Sequence, residues 1–518
     1  MPKFNKKPIT AVTLISIFLL VLFLTTYFNI TSGNTTDGIP TELDDFYLAG
    51  PDPYYNMRIC DTALETGKYP YYNEPDPLLN YPLGTSGARP PLFNMMAVVP
   101  AFAISSLTGI DTDISLGYMM QFIPALFGAL LIFPVYFIGK TIFNRKVGII
   151  SALLVPLIPV HLASGHGSAY ALFDHDSFVL FLMATTFFLF IKSLKEKDRV
   201  KGIIYACLTA IPIVSIELSW VSGQVIFVLL SAFLAISFVI EIFRKEINIQ
   251  IFERGVIMFG LALFLLIPII LPREVITSTF AFFSLAISIA LLVLSYIIQK
   301  LKVPWIITAP VISIVAISSI SLLYMKAHSI IDINLGSAFS TLANTIFGRG
   351  IYGNKVSGTI AESATFNISR NVMSFGPALL WIALISFVLF TYLLVKDKIP
   401  LYKLFISYIF VVQIWFLSEA GRFINDLVPM VCIFGAFGTY TVLKHTDIEG
   451  FIRTMQENLR GIEWYHCTTA IGIALGIYAP FLECSLTVWT IYYIFMIACL
   501  MTAINIIDRE KEIFNVKR

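Results

Sequence analysis

The sequence predicts an all-α polytopic membrane protein with two long external loops. Of its 518 residues, 57% are hydrophobic and only 13% are charged, and the mean hydropathy is +0.81. Apolar runs long enough to cross a bilayer recur along the chain. Lys and Arg are concentrated after every second run, as the positive-inside rule expects of cytoplasmic loops. This composition excludes a soluble globular protein, and the net charge of +2 gives no reason to expect a nucleic-acid partner.

The first apolar run, 9–28, follows three lysines and is not closed by a small-residue cleavage site. We therefore expect a retained helix whose N-terminus is cytoplasmic. The next stretch, about 30–115, is rich in Asp, Pro, Tyr and Gly and poor in Lys, so it is predicted to lie outside. Within it, 92–107 is apolar but contains Pro100. We expect an external or interfacial helix there, because one more span would break the alternation of charge.

The remaining apolar runs predict spans up to the end of the chain. The spans expected before residue 325 are 117–139, 147–163, 177–191, 202–219, 222–243, 255–272, 274–299 and 304–324. A second external loop, about 325–373, precedes the spans 374–395, 400–416 and 424–443. Residues 444–465 predict an amphipathic helix on the cytoplasmic surface, and 466–518 a C-terminal helical hairpin and tail. The total is about 14 transmembrane helices.

The most informative polar segment is Asp174-His175-Asp176, which lies between two apolar runs. Ionisable side chains at a membrane boundary are costly to desolvate, so a functional role is the first interpretation. Carboxylate oxygens at this spacing suit a hard divalent cation. The alternative is that Asp174 or Asp176 simply caps the helix that follows, and the two interpretations are compatible.

Three further polar clusters share the predicted outer face. Asp52 lies between two prolines that would fix its backbone, although Pro-Asp-Pro is also an ordinary turn. Glu362 lies in a glycine-rich loop that could close over a substrate, or it is merely solvated. Arg422 could bind a phosphate or carboxylate, or pair with Glu419 or Asp426. Together these groups suit a metal-dependent enzyme that acts on a lipid-linked phosphate.

Short elements along the chain match one family in order, spacing and sidedness. They are Asp-Pro-Tyr-Tyr-Asn-Met-Arg at 52–58, Asn-Tyr-Pro-Leu-Gly at 80–84, Arg-Pro-Pro-Leu-Phe at 89–93, Phe-Asp-His-Asp at 173–176, Thr-Ile-Ala-Glu at 359–362, and Arg422-Phe423 followed by Pro429. Over residues 8–443 the chain resembles the catalytic subunit of oligosaccharyltransferase, most closely the single-subunit archaeal and bacterial kind. The resemblance implies a GT-C-type glycosyltransferase architecture, with residues 1–443 as the catalytic domain.

The resemblance also implies a reaction. A glycan would pass from a polyprenyl (dolichyl) phosphate or pyrophosphate to Asn in an Asn-x-Ser/Thr sequence, at the external face of the cell membrane. Mg²⁺ or Mn²⁺ would be held by Asp52, Asp174, Asp176 and Glu362, whereas His175 would be a bystander. Asp52 and Glu362 would also act in catalysis, by hydrogen-bonding the acceptor amide. The candidate substrate-binding residues are Tyr54, Arg58, Arg89, His166, Trp220 and Arg422.

Two departures from the family pattern bear on substrate recognition. The Trp-Trp-Asp-Tyr-Gly run, which reads the acceptor in the family, does not occur, so we expect either a partner protein that supplies acceptor recognition or a looser choice of acceptor. The Arg commonly found shortly before the second acidic motif is replaced by His166-Gly167-Ser168. The alternatives are a glycosyltransferase of the same architecture with a lipid or polymer acceptor, and a non-catalytic paralogue that serves as an assembly subunit.

Overall fold

The computed structural model describes residues 6–31, 36–70, 75–79, 81–84, 89–163, 167–270, 280–331, 343–344, 346–347, 368–396 and 400–445. The helices before residue 200 are α1 (Lys6–Thr31), α2 (Pro51–Thr66), α3 (Pro91–Thr108), α4 (Thr112–Leu130), α5 (Ile132–Ile142), α6 (Arg145–Leu154), α7 (Pro159–Ala163), α8 (Asp176–Lys195) and α9 (Arg199–Glu217). Those that follow are α10 (Val225–Arg244), α11 (Ile249–Ile270), α12 (Phe280–Leu301), α13 (Trp305–Ala327), α14 (Ile368–Phe375), α15 (Pro377–Lys396), α16 (Leu401–Glu419) and α17 (Val428–His445). Glu362, His166, most of the predicted helix 444–465 and the hairpin 466–518 lie outside these ranges.

The described part of the chain confirms the predicted fold class. Eleven of its helical segments are long and apolar enough to cross a membrane, and α15 contains a shorter apolar helix. Within the described ranges, β-structure is limited to one isolated antiparallel bridge between Thr36 and Phe46. In a bilayer every backbone polar group must be satisfied internally, which helices achieve within one segment. The protein is therefore an all-α, multi-pass membrane protein.

The expectation of one continuous spanning helix over 147–163 is wrong. In the structure α6 ends at Leu154, a 3-10 turn covers Val155–Leu157, and the five-residue α7 follows. The cause is local, because Pro156 and Pro159 each lack a backbone N–H and clash with the preceding turn of a helix. The break turns the chain toward the segment that carries Asp174.

The apolar segment inside the first polar stretch is helical, as expected. It forms the 18-residue helix α3, which has prolines at its start and ends at Gly109, whose φ is 73°. Pro100 lies inside α3 without ending it. The helix is long and apolar enough to cross a membrane by itself, so its assignment as an external or interfacial helix stays a prediction.

Aromatic side chains fill the centre of the bundle where α8, α10 and α16 meet. The ring of Phe405 lies 4.9 Å from the rings of both Phe190 and Phe233, in edge-to-face geometry. All three side chains are buried. Edge-to-face pairs add to the free energy gained from burial alone. This packing holds α8 in the bundle, and the first residue of α8, Asp176, is the last residue of the second acidic motif.

The direction of the helices brings the polar motifs to one end of the bundle. Helix α8 begins at Asp176 and runs away from this end, and α9 returns to it before Trp220. Helix α16 ends at Glu419, and the 3-10 turn Gly421–Leu427 follows. At the opposite end, Lys195 of α8 donates to the carbonyl of Thr141 at 2.8 Å. One end is therefore lined by acidic motifs and the other by the predicted basic loops.

Candidate active site at one end of the bundle

The second acidic motif is anchored by buried apolar packing. Phe173 is fully buried, and its ring stacks on Phe93 of α3 at 4.7 Å. Asp174 is buried as well, and its Oδ1 accepts a hydrogen bond from the backbone N–H of His175 at 2.8 Å. His175 occupies the N-cap position of α8 and makes no side-chain capping bond, so the proposed cap by a carboxylate is not observed. Asp174 is thus held by buried packing and by the hydrogen bond from His175.

The first acidic motif forms the start of α2. Prolines at the beginning of α2 suit its first turn, where the backbone N–H groups have no helical partner. Asp52 lies in this turn, with 54% of its side chain exposed. One turn later, the buried Asn56 donates from Nδ2 to the carbonyl of Phe173 at 3.0 Å. This bond ties the first motif to the second across 117 residues of sequence.

Arg89 bridges the two acidic motifs. Its Nη2 lies 3.1 Å from Oδ1 of Asp52, and its Nη1 lies 3.3 Å from Oδ1 of Asp174. The guanidinium also lies over the ring of Tyr55, 5.2 Å from the centroid. The predicted site residues Asp52 and Asp174 therefore meet at the positive charge of a third, Arg89, and each of the three comes from a separate segment.

His175 is part of this network rather than a bystander. Its Nδ1 lies 2.6 Å from Oδ1 of Asp174, and its Nε2 lies 3.7 Å from Oδ1 of Asp176. The ring faces Trp220 at 6.3 Å, with an angle of 27° between the planes. The pair of carboxylates that flanks His175 in the sequence could have indicated this contact. In the structure one carboxylate lies near each of the two imidazole nitrogens.

The contacts of Asp174 and His175 shift both of their pKa values. Burial alone would raise the pKa of Asp174, but the charge and hydrogen bond of His175, together with Arg89, lower it well below its usual range. Burial alone would lower the pKa of His175, but the charge and hydrogen bond of Asp174, with the charge of Asp176, raise it. The Asp174 carboxylate is therefore held in its charged form.

A second group of predicted residues lines a pocket beside this network. Nη2 of Arg422 lies 3.7 Å from Oδ1 of Asp176. Trp220 and Phe423 contribute apolar walls to the same pocket, and Asn425 lies on its polar side. Arg422 comes from the 3-10 turn after α16, so three distant segments converge here. The pocket joins an arginine, a carboxylate and an indole beside Asp174.

Two predicted binding residues make contacts that support the fold around α2, and their role in substrate binding stays a prediction. Arg58 forms a salt bridge with the buried Asp76, whose carboxylate also accepts from the hydroxyl of Tyr55 at 3.3 Å. The hydroxyl of Tyr54 accepts a hydrogen bond from the backbone N–H of Leu48 at 3.1 Å. Nothing in the sequence pattern distinguishes Asp76 from the other acidic residues of this external stretch. Its role became visible only from its burial and its partners.

The carboxylate oxygens at this site are the type of ligand that a hard divalent cation prefers. Asp52 and Asp174 both turn a carboxylate oxygen toward one cationic group, Arg89. Among the residues that the structure describes, no three His, Cys, Asp or Glu side chains are grouped closely enough to hold a metal ion. Glu362, the fourth predicted ligand, lies outside the described ranges. The carboxylates thus fit a divalent cation by type, while their role as ligands stays a prediction.

Known proteins share the sequence pattern over most of the chain. The family model described as oligosaccharyl transferase STT3, N-terminal, matches residues 44–508. Dolichyl-phosphooligosaccharide-protein glycotransferase 3 of Archaeoglobus fulgidus is 25% identical over 233 residues, which are 43% of this chain and 26% of the relative. The dolichyl-diphosphooligosaccharide–protein glycosyltransferase subunit STT3A of Oryza sativa subsp. japonica is 24% identical over 256 residues, which are 49% of this chain and 31% of the relative.

Solved structures share the fold. An archaeal oligosaccharyltransferase from Archaeoglobus fulgidus, AglB, in complex with an inhibitory peptide and a dolichol-phosphate, matches with a TM-score of 0.69 and 18% identity. The match covers 92% of this chain and 55% of that chain. The apo form of an oligosaccharyltransferase from the same organism matches with a TM-score of 0.65 and 19% identity. This match covers 90% of this chain and 54% of that chain. The likeness shows that this chain shares the all-α membrane fold of these two solved proteins. This chain spans about half the length of these solved chains, and the alignments span a third or less of the curated relatives.

Proposed function

The chain belongs to the oligosaccharyl transferase STT3 family, and from this premise we propose that it catalyses protein N-glycosylation. A glycan would pass from a polyprenyl (dolichyl) phosphate or pyrophosphate to the side-chain amide of Asn in an Asn-x-Ser/Thr sequence. The observation that carries the proposal is the convergence of Asp52 and Asp174 on Arg89, with Asp176 and Arg422 beside them. Two acidic motifs and an arginine pocket at one membrane boundary suit a phosphate leaving group.

In the proposed reaction, the bond between the anomeric carbon and the phosphate oxygen breaks, and a bond from that carbon to the amide nitrogen forms. The phosphate leaves with the electron pair, and the nitrogen loses one proton. Asp52 is suited to the acceptor side, because over half of its side chain is exposed while its helix is fixed by Asn56. Its carboxylate would hydrogen-bond the amide N–H and weaken the conjugation of the amide. Glu362 is proposed to share this role.

Arg422 is suited to the donor side. Its guanidinium lines the pocket beside Asp176, and a guanidinium can contact two phosphate oxygens at once. Trp220 would cover the apolar side of the same substrate. Tyr54 and Arg58 act at a distance from the substrate in this scheme, because they support the backbone and the loop around α2.

We also propose that Asp52, Asp174, Asp176 and Glu362 hold Mg²⁺ or Mn²⁺. When bound, such a cation would neutralise phosphate oxygens and stabilise the leaving group. The charged state of Asp174, maintained chiefly by the charge and hydrogen bond of His175, favours this role because a carboxylate must be ionised to act as a ligand.

The site is proposed to face the outside, with the N-terminus of the chain in the cytoplasm. The acidic motifs lie at one end of the bundle, whereas Lys195 and the neighbouring basic residues of α8 lie at the other. Basic loops stay preferentially on the cytoplasmic side of a membrane. This sidedness would expose the acceptor Asn only after it has crossed the membrane.

The test is a reconstituted transfer reaction. The purified chain in lipid nanodiscs is mixed with a dolichyl phosphate- or pyrophosphate-linked glycan and a fluorescent Asn-x-Thr peptide, with Mn²⁺ or with a chelator, and with a membrane extract to supply partner proteins. We expect a glycopeptide by mass spectrometry, and a loss of about 100-fold for Asp174→Asn. Asp37→Asn, an exposed acidic residue of the same external stretch, is the control and should remain active.

Three outcomes separate the parts of the proposal. No glycopeptide under any condition would overturn the assigned transfer. Undiminished transfer in the presence of the chelator would overturn the proposed metal and leave the transfer standing. Transfer to a lipid or polymer instead of the peptide would assign the alternative acceptor.

A further inference from the structure

A pocket with both polar and apolar lining residues lies at the end of the bundle opposite the candidate active site. The ends of α10 and α12 and the beginning of α13 meet there, because α10 and α12 run away from the active-site end. Its lining residues are Ile242, Lys245, Glu246, Ile247, Ile298, Gln299, Lys302, Val303, Trp305 and Thr308. The side chain of Gln299 donates to the carbonyl of Ile247 at 2.6 Å and closes one wall. The pocket shares no residue with the active site.

Two lysines give this pocket its charge. The Nζ atom of Lys245 lies 4.6 Å from the centroid of the Trp305 ring, and Lys302 lines the same pocket. Glu246 is the one acidic residue in the lining. Arg244 precedes Lys245 and Lys300 lies two residues before Lys302, whereas Glu241 precedes Ile242 of the lining. Basic residues therefore outnumber acidic ones in the lining and beside it.

Both lysines lie in the left-handed region of backbone conformation. The φ angle is 60° for Lys245, which ends α10, and 50° for Lys302, which follows α12. Glycine is the favoured residue at such helix ends, because a Cβ atom makes this conformation unfavourable. The backbone conformations of Lys245 and Lys302 are therefore costly for lysine. Both of these lysines line the same pocket. Residues held in costly conformations are concentrated at functional sites.

An apolar surface continues from the pocket along the helices. Trp305, at the start of α13, is 44% exposed, and aromatic residues at the ends of spans lie at the level of lipid headgroups. Large apolar side chains of α12 and α13 that are exposed next to the pocket are Ile297, Leu301, Ile306, Ile307, Val311 and Ile314. The pocket thus joins two ammonium groups to a surface suited to acyl chains.

We propose that this pocket binds the phosphate headgroup of an anionic phospholipid in the leaflet opposite the active site. Phosphate chemistry is shared with soluble phosphates, but only a lipid would also use the apolar surface of α12 and α13. Basic pockets between transmembrane helices on the cytoplasmic side are suited to such headgroups. Two lysines near the membrane surface correspond to roughly a 30-fold preference for an anionic over a zwitterionic headgroup.

Quenching of Trp305 fluorescence tests this proposal on the full chain. The purified protein in detergent micelles is titrated with brominated phosphatidylglycerol or brominated phosphatidylcholine, and the Trp305→Phe variant isolates the signal of Trp305. We expect half-maximal quenching at an at least 10-fold lower mole fraction of phosphatidylglycerol. Lys245→Gln with Lys302→Gln should remove this preference, and Lys245→Arg with Lys302→Arg should keep it.

A matched double variant controls for general surface charge. Lys140 and Lys192 lie at the same end of the bundle, each over a tyrosine ring, with Nζ 5.5 and 5.0 Å from the centroids. Lys140→Gln with Lys192→Gln removes the same charge outside the pocket and should keep the preference. Equal quenching by both lipids, equal loss in both double Gln variants, or displacement of the lipid by millimolar inorganic phosphate would each overturn the proposal.

Discussion

Arg89 lies 3.3 Å from the buried carboxylate of Asp174, although 85 residues separate them in sequence. The same guanidinium contacts Asp52 at 3.1 Å, so one positive charge lies between the two acidic motifs. A buried carboxylate without a partner would be strongly destabilising. Arg89 therefore allows the two motifs to fold together before any substrate or cation is present.

Removal of the Arg89 side chain should lower the concentration of divalent cation that the reaction needs. The guanidinium and the proposed cation need the same oxygens of Asp52 and Asp174, so the two compete. Partly exposed ion pairs contribute up to about 1 kcal/mol each. We therefore expect Arg89→Gln to lower the Mn²⁺ concentration for half-maximal glycopeptide formation by about 3- to 10-fold.

The control for Arg89→Gln is Lys68→Gln, which removes an exposed positive charge just beyond α2. This variant should leave the Mn²⁺ dependence unchanged. If Arg89→Gln raises the required Mn²⁺ concentration, or leaves it unchanged, Arg89 does not compete for the ligand oxygens.

Replacement of His175 should weaken the active site through Asp174. The Nδ1 atom lies 2.6 Å from Oδ1 of Asp174, and the ring also faces Trp220 and lies 3.7 Å from Oδ1 of Asp176. We expect His175→Ala to reduce glycopeptide formation by about 10- to 100-fold, as for groups that orient ligands. His175→Asn, whose amide can still donate to Asp174, should recover part of the activity. Equal activity of both variants would show that the hydrogen bond is not used.

The motifs of the site could be predicted from sequence because each carries a local physical signature. Asp52 is marked by its two prolines, and Asp174 and Asp176 by their position between apolar runs. Their contacts could not be predicted in this way. Arg89 meets Asp52 and Asp174 in the folded chain, where the bond from Asn56 to the carbonyl of Phe173 joins their two segments. No local pattern reports such a contact.

The errors have similar physical causes. Hydropathy averages over a window, so it registered 147–163 as one apolar run and did not weigh the break at Pro156 and Pro159. Alternation around His175 suggested a bystander, whereas the folded loop places its two nitrogens against Asp174 and Asp176. The predicted sidedness rests on the distribution of Lys and Arg along the whole chain, and it stays a prediction.

The Arg58–Asp76 pair should contribute stability that depends on pH. Burial would raise the pKa of Asp76, but hydrogen bonds from Arg58 and from the backbone N–H of Leu78, with the charge of Arg58, lower it below its ordinary 3.8. The contribution is therefore fully present above about pH 4 and is lost as the pH falls through the lowered value. We expect Asp76→Asn to cost about 1–3 kcal/mol at pH 6.

Thermal unfolding of the purified protein at pH 6 and pH 3 measures this effect. The difference in midpoint between the parent protein and Asp76→Asn should be large at pH 6 and should shrink at pH 3. Asp37→Asn, in the same external stretch, should show no such difference at either pH. A difference that stays constant with pH would show that Asp76 acts by packing and not by charge.

A single methyl group at Gly128 should disturb the segment that carries Asp174. A Cβ atom at this position of α4 would lie 2.1 Å from Cβ and 2.3 Å from Oγ of Ser168. Ser168 has little room to move, because its Oγ donates to the carbonyl of His161 at 2.8 Å and His161 in turn contacts the carbonyl of Gly128 at 3.0 Å. We expect Gly128→Ala to destabilise the protein by about 1–3 kcal/mol.

Gly260 of α11 provides the matched control for Gly128. A Cβ atom there would meet its nearest neighbour, Cδ1 of Leu285, at 3.8 Å, which is an ordinary contact. Gly260→Ala should therefore be neutral or stabilising by up to about 1 kcal/mol, because alanine favours a helix over glycine. The double change of Gly128→Ala with Ser168→Gly should restore part of the lost stability, since the two sites are in contact. Thermal unfolding and glycopeptide formation measure both effects, and a fully stable Gly128→Ala would show that the loop before Asp174 can move without cost.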